Sequence, residues 1–99
     1  MVELKTLYSN QKSFYGKALV NQVNELTYEL YSYGSLVCTI KGNKYYLNHD
    51  IEDKLLFSQT TLKHIKEFLY QHVNLLRLSY LIDGAITKKD IIKNEGREF

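Results

Sequence analysis

The chain of 99 residues has a single cysteine, no tryptophan and no proline. One thiol, Cys38, excludes an internal disulfide framework and fits a reducing compartment. No apolar run approaches the roughly 20 residues that span a bilayer, and the opening MVELKTLYSN lacks the apolar core of a signal peptide. A cytoplasmic protein with no membrane partner is the expectation. Glycine-rich phosphate loops, Gly-x-Ser-x-Gly and His-Glu-x-x-His are all missing. Charge of one sign is scarce too. Thirteen Lys and Arg against eleven Asp and Glu leave +2, too little to argue for nucleic acid by itself. There is no internal repeat, low-complexity tract or linker.

What is present is tyrosine: nine, beside four phenylalanines. Tyrosine favours strands, and it favours contact surfaces because it offers a large area for few rotatable bonds. With 44% hydrophobic and 24% charged residues the chain reads as one globular domain over residues 1–99. At this length it buries roughly 60–65% of its unfolded surface, enough for one two-layer core and too little for a deep enzyme pocket.

The clearest element is the helix over residues 60–73 of a 58–73 segment. Leu62, Ile65, Phe68, Leu69, His72 and Val73 fall on one stripe, with Lys63, Lys66, Glu67, Tyr70 and Gln71 opposite. Ser58, Thr60 or Thr61 can cap its first N–H groups. Before it, residues 17–47 alternate with a period of two. Strands are expected over 17–23, 26–31, 36–41 and 44–47, joined by turns at Asn24-Glu25, Tyr33-Gly34-Ser35 and Gly42-Asn43. The N-terminal segment, 1–16, is mixed; a short helical turn opens at Ser9-Asn10, with Leu4, Leu7 and Phe14 as anchors. Residues 48–57 read as a solvated loop, since Asp50, Glu52 and Asp53 lack the glycine and bidentate glutamate of a calcium loop. In the C-terminal extension, 74–99, residues 74–82 fit a helix or a strand. A [ST]-x-x-[DE] pattern at Thr87 opens a short helix to Asn94 with Ile91 and Ile92 inward, and Gly96 stops it. The expected fold is α+β: a four-stranded antiparallel meander with one main helix on one face and a short C-terminal helix. The expected core is Leu26, Tyr28, Leu30, Leu36, Cys38, Ile40, Leu47, Leu62, Ile65, Phe68, Leu69, Ile91 and Ile92.

Candidates for chemistry are few. His64 and His72 stand about 80° apart around a helix, whereas two metal ligands sit better at i, i+4. Cys38, on the apolar face of a strand, reads as a buried inert thiol. The carboxylates do not cluster. His64 is expected to bond to a loop or to Ser32 and not to perform chemistry. No catalytic residue, metal ligand or cofactor is assigned, and an enzyme is not expected.

Binding is better supplied. Lys63 and Lys66 share a helix face, Lys88, Lys89 and Lys93 form a second basic cluster, and Arg77 lies between. An aromatic sheet face flanked by lysines is what single-strand binders stack bases on, although no RNA-sheet motif is present. The bland alternative is solvated lysines and ordinary strand tyrosines. One helix covers one sheet face only. The other face, with Tyr31, Val37 and Tyr46, or the rim at Tyr33 and Tyr70, then offers aromatic surface to a protein partner or to a second copy in a homodimer. The candidate contact residues are Tyr31, Tyr33, Tyr46, Lys63, Lys66, Tyr70, Lys88 and Lys89.

Three segments together resemble a known pattern: TLYSNQKSFYGKA (6–18), LYSYGSLVCTI (30–40) and SQTTLKHIKEFLYQ (58–71). They are similar to a small domain of unassigned activity from phages and mobile elements of Gram-positive bacteria, including staphylococci and streptococci. Its pattern runs as K-S-F-Y-x-K-A, L-Y-S-Y-x-T-x-V and T-T-x-R-H-I-x-E-F-L. The matching positions are Lys12, Ser13, Phe14, Tyr15, Lys17 and Ala18; Leu30, Tyr31, Ser32, Tyr33 and Val37; and Thr60, Thr61, His64, Ile65, Glu67, Phe68 and Leu69. Lys63 replaces the arginine expected before His64, and the tail beyond Val73 is unmatched. Some type II-A anti-CRISPR proteins share this domain. The resemblance therefore implies a phage-type protein that binds and inhibits a Cas9, or another host defence protein, in the bacterial cytoplasm without catalysis. The rival reading is a nucleic-acid-binding accessory or regulatory protein of a mobile element.

Overall fold

In the computed structural model, residues 1–7, 9, 11–48, 58–72 and 88–98 are described. Five strands form one antiparallel sheet in chain order: β1 (Val2–Glu3), β2 (Ala18–Asn24), β3 (Thr27–Ser32), β4 (Ser35–Lys41) and β5 (Lys44–Leu47). Helix α1 (Gln59–His72) lies on one face, and the short helix α2 (Lys88–Lys93) follows. The α+β class and the antiparallel sheet with a main helix are as expected, but the sheet has five strands, not four. The fifth is β1, where Val2 pairs with Val20 and Glu3 with Leu19. Leu4 continues the contact by donating its N–H to the Ala18 carbonyl at 2.9 Å. Two residues carry no alternation, so nothing in the sequence marks this strand.

Alternation puts alternate side chains of each strand under the helix. Val20, Leu30, Cys38 and Leu47 are cross-strand neighbours in one row, and Tyr28, Ile40 and Tyr45 form the next. Onto these rows α1 lays Leu62, Ile65, Phe68 and Leu69, all buried. Tyr28 and Ile92 are partly buried against the same core. Leu4, Phe14, Ala18 and Tyr45 complete it, and of these only Leu4 and Phe14 were marked as anchors; Leu7 is exposed.

Two irregularities correct the expected core. Gln22 pairs with Tyr28 but Asn24 with Thr27, so Val23 is an extra residue and the turn shifts to Glu25-Leu26. Leu26 is consequently exposed, its N–H capped by Asn24 Oδ1 at 2.9 Å. In β4, Leu30 pairs with Cys38 but Tyr31 with Leu36, which makes Val37 a bulge. A bulge breaks the alternation, so Val37 and Cys38 are buried in succession. Val37 therefore does not belong to the open face. Leu36 does, and is only half-buried.

The β5 edge is closed by the C-terminus. Tyr45 donates its hydroxyl to the Ile91 carbonyl at 2.6 Å, Leu47 N–H to Glu95 Oε1 at 2.7 Å, and Gly96 N–H to the Tyr45 carbonyl at 2.8 Å. A covered edge cannot pair with another chain. The expectations for residues 49–57 and 74–82 and for a Thr87 cap lie outside the described residues. No helical turn occurs among the described residues before β2.

Phe68 is fully buried between helix and sheet. Phe68→Ala is expected to cost about 3–5 kcal/mol, read as a lowered urea midpoint. A loss below about 1 kcal/mol would mean that α1 does not pack on the sheet this way.

Candidate binding surface

At one end of the sheet two Tyr-Gly turns lie side by side. Lys17 N–H bonds the Phe14 carbonyl at 2.9 Å around Tyr15-Gly16, and Ser32 pairs with Ser35 around Tyr33-Gly34. All four central residues have positive φ: 53° and 75° in the first turn, 51° and 81° in the second. That is the type I′ conformation, whose twist matches the strands it joins. Glycine adopts it freely; tyrosine does so at a cost of about 1–2 kcal/mol. The turns are tied together by Tyr33 N–H on the Lys17 carbonyl at 2.8 Å. Ser13 Oγ holds the Tyr15 N–H at 2.9 Å, and Glu3 Oε1 takes the Gly16 N–H at 3.2 Å. Both tyrosine side chains face water, Tyr15 at 71% and Tyr33 at 57% exposure.

Beneath these turns a chain of polar groups runs from the exposed Ser58 to the buried Ser32 and His64. Ser58 caps α1, its Oγ accepting the Thr61 N–H at 3.1 Å while its hydroxyl donates to Thr61 Oγ1 at 3.1 Å. Thr61 Oγ1 meets Ser32 Oγ at 3.2 Å, and Ser32 Oγ meets His64 Nδ1 at 2.8 Å. With Ser58 donating first, the chain assigns the Thr61 proton to Ser32, the Ser32 proton to Nδ1, and the ring proton to Nε2. Phe14 packs edge-on against the imidazole at 4.5 Å between centroids, and Tyr33 lies at 5.7 Å. Burial lowers the His64 pKa and favours the neutral ring that this bond needs. A serine hydroxyl on an imidazole nitrogen is also a nucleophile–base pair. Here Ser32 is 3% and His64 1% exposed, so no substrate reaches them, and the pair positions the turns instead. The expected His64–Ser32 bond is present.

Sequence reasoning had Glu67 on the solvent face; it is buried. The N-terminal segment covers that flank of the helix. Ser9 N–H donates to Glu67 Oε1 at 2.9 Å, and Gln71 Nε2 reaches both Glu67 Oε2 at 2.8 Å and the Lys5 carbonyl at 2.7 Å. Lys63, Lys66 and Tyr70 lie on this flank, around a cavity of about 90 Å³ shared with Ser9 and Glu67. Burial, and then the Glu67 carboxylate, raise the Tyr70 pKa and keep the phenol protonated.

The other candidates lie elsewhere. Tyr31 and Tyr46 stand on the sheet face away from α1, in rows set by the pairs Tyr31–Leu36 and Thr39–Tyr46. Tyr31 gives its hydroxyl to Glu29 at 3.3 Å, and Tyr46 is 40% exposed. Lys88 and Lys89 belong to α2, with Lys89 exposed. The eight residues thus divide among a turn end, a helix flank, an open sheet face and α2. Tyr15 was not among them, although the repeated Tyr-Gly dipeptide signals it. Cys38 is buried, and burial with Glu95 nearby pushes its thiol pKa far up. Among the described residues no group of three His, Cys, Asp or Glu could hold a metal, and no helix is long and apolar enough to cross a membrane.

These features define a small α+β domain with a sealed polar interior and an aromatic exterior at one end. The chain belongs to a family of unknown function (DUF8033), whose pattern matches residues 2–93. No curated protein and no solved structure matches the chain.

A second imidazole, His72, stacks between Tyr28 at 4.6 Å and Phe68 at 5.1 Å, and burial lowers its pKa as well. A depressed folded pKa means that the unfolded chain takes up protons first. Stability is therefore full above the ordinary histidine value of about 6.5 and is lost as pH falls below it. Urea midpoints should drop between pH 7.5 and 5.5, and His72→Phe, which keeps the stack, should show a shallower drop. A pH-independent midpoint over that range would contradict neutral, buried imidazoles.

Proposed function

We propose that the domain acts by binding, without catalysis, and that its contact surface is the end carrying Tyr15 and Tyr33. The observation that carries this reading is the left-handed backbone of two exposed tyrosines. Asparagine would hold either turn at lower cost; Tyr33 offsets that cost by covering the His64 ring, but Tyr15, 71% exposed, needs another reason. Large, rigid aromatic side chains that anchor interfaces supply one. The sealed Ser32–His64 pair and the high pKa of the Cys38 thiol support a role without a nucleophile.

The proposed target is a type II-A Cas9 in the cytoplasm of the bacterial host, the partner implied by the resemblance of residues 6–18, 30–40 and 58–71. Those segments supply Tyr15, Tyr33 and the groups that hold them, Phe14, Ser32 and His64. Inhibition follows from occupying a protein surface. A rival reading, a nucleic-acid accessory protein, differs in salt response, because phosphate contacts weaken steeply with salt and an aromatic interface does not.

Purified protein should co-elute with guide-loaded type II-A Cas9 and block DNA cleavage. Tyr15→Asn should melt several degrees higher, since about 1 kcal/mol moves a domain of this size by 4–8 °C. The same variant should inhibit at least about 30-fold less well, as loss of an interface anchor of about 2 kcal/mol requires. Full inhibition by the variant would remove the turn end from the interface. Uninhibited cleavage by several Cas9 orthologues would remove the target.

A further inference from the structure

Charge is unevenly shared along the chain. Residues 1–17 and α1 carry Lys5, Lys12, Lys17, Lys63 and Lys66 against two acids, Glu3 and Glu67. Glu3 accepts the Gly16 N–H, and Glu67 is buried and accepts from Ser9 and Gln71. The rest of the chain holds eight of the 13 basic and nine of the 11 acidic side chains. Residues 1–17 and α1 are therefore the net-basic part of the chain.

On that side Ser9, Lys63, Lys66 and Tyr70 surround the cavity of about 90 Å³, with Glu67 among its lining residues. Lys63, Lys66 and Tyr70 follow the i, i+3, i+7 spacing of one helix flank. Neither lysine has an acidic partner among the described residues. Glu67 opposes an anion, but its two oxygens already accept N–H groups from Ser9 and Gln71, and two ammonium groups outweigh one such carboxylate. Ser9 Oγ accepts the Gln11 N–H at 3.1 Å, which directs its own proton elsewhere. Lysine donates from a point charge, which suits a tetrahedral oxyanion; a planar carboxylate is better matched by the arginine fork, and residues 1–17 and α1 have no arginine.

We infer that this cavity, lined by Ser9, Lys63 and Lys66, is a binding site for a phosphate group, carried by a nucleic-acid backbone or by a small phosphorylated compound. It is separate from the tyrosine turns, since neither Tyr15 nor Tyr33 lines it, and it does not depend on what those turns contact.

The test titrates the full chain with three probes: a short single-stranded DNA, adenosine monophosphate and inorganic phosphate. Binding is followed by backbone amide shifts and, for DNA, by anisotropy across a salt series. Lys63→Gln with Lys66→Gln should weaken binding about tenfold or more and lower the salt slope for DNA by roughly one to two. Lys41→Gln, on the open sheet face, should leave it unchanged, and both proteins should melt like the wild type. Tight binding of DNA alone identifies the backbone as the source. Comparable binding of the two small probes identifies a free phosphorylated compound. No saturable binding of any probe, or equal loss in Lys41→Gln, overturns the site.

Discussion

The structure depends on one buried hydrogen bond, Ser32 Oγ to His64 Nδ1 at 2.8 Å. It joins the last residue of β3 to the second turn of α1, two elements far apart in sequence. A buried serine or histidine left without a partner costs about 1–3 kcal/mol, so neither side can move without the other. Thr61 and Ser58 extend the same chain to the helix cap, and Phe14 and Tyr33 close over the imidazole. Helix start, sheet end and N-terminal segment are thereby fixed at one point. The two Tyr-Gly turns rest on that point, which explains how a strained backbone is held in a small domain.

Glu67 fixes the other side of the helix. A carboxylate removed from water must find donors, and it finds them in Ser9 and Gln71. The N-terminal segment thus becomes a third layer, laid on the flank of α1 and ending in β1 at the sheet edge. Segments 6–18, 30–40 and 58–71 each have a physical task here. Phe14 seals His64, Ser32 bonds it, Thr61 links it to the cap, and Glu67 holds the N-terminus. These tasks leave the exposed Tyr15 and Lys63 as positions that packing does not explain.

The helix was legible because its apolar stripe repeats over four turns, and the strands because side chains alternate between core and water. The Ser32–His64 bond was legible in part: a structural histidine needs a partner, and the sequence offered two, a loop or Ser32, of which the fold uses Ser32. Leu36 and Val37 were misread because a bulge adds one residue without changing the local pattern, yet reverses which face follows; Leu26 was misread because the extra Val23 moves the turn onto it. Glu67 was misread because a charged residue beside an apolar stripe is ordinarily solvated, and its donor Ser9 is distant in sequence. β1 is too short to show a period. Tyr45 sits beside Tyr46 with nothing local to distinguish them; its burial follows from the Ile91 carbonyl that takes its hydroxyl.

The most direct test of this account is a double-mutant cycle on the central bond, using Ser32→Ala, His64→Phe and the pair, with stability from urea unfolding at pH 7.5. If the bond joins sheet and helix as described, each single change destabilises and the pair falls short of their sum by about 1 kcal/mol or more. Strictly additive losses would show that the two groups act independently and that the turn end is held by something else.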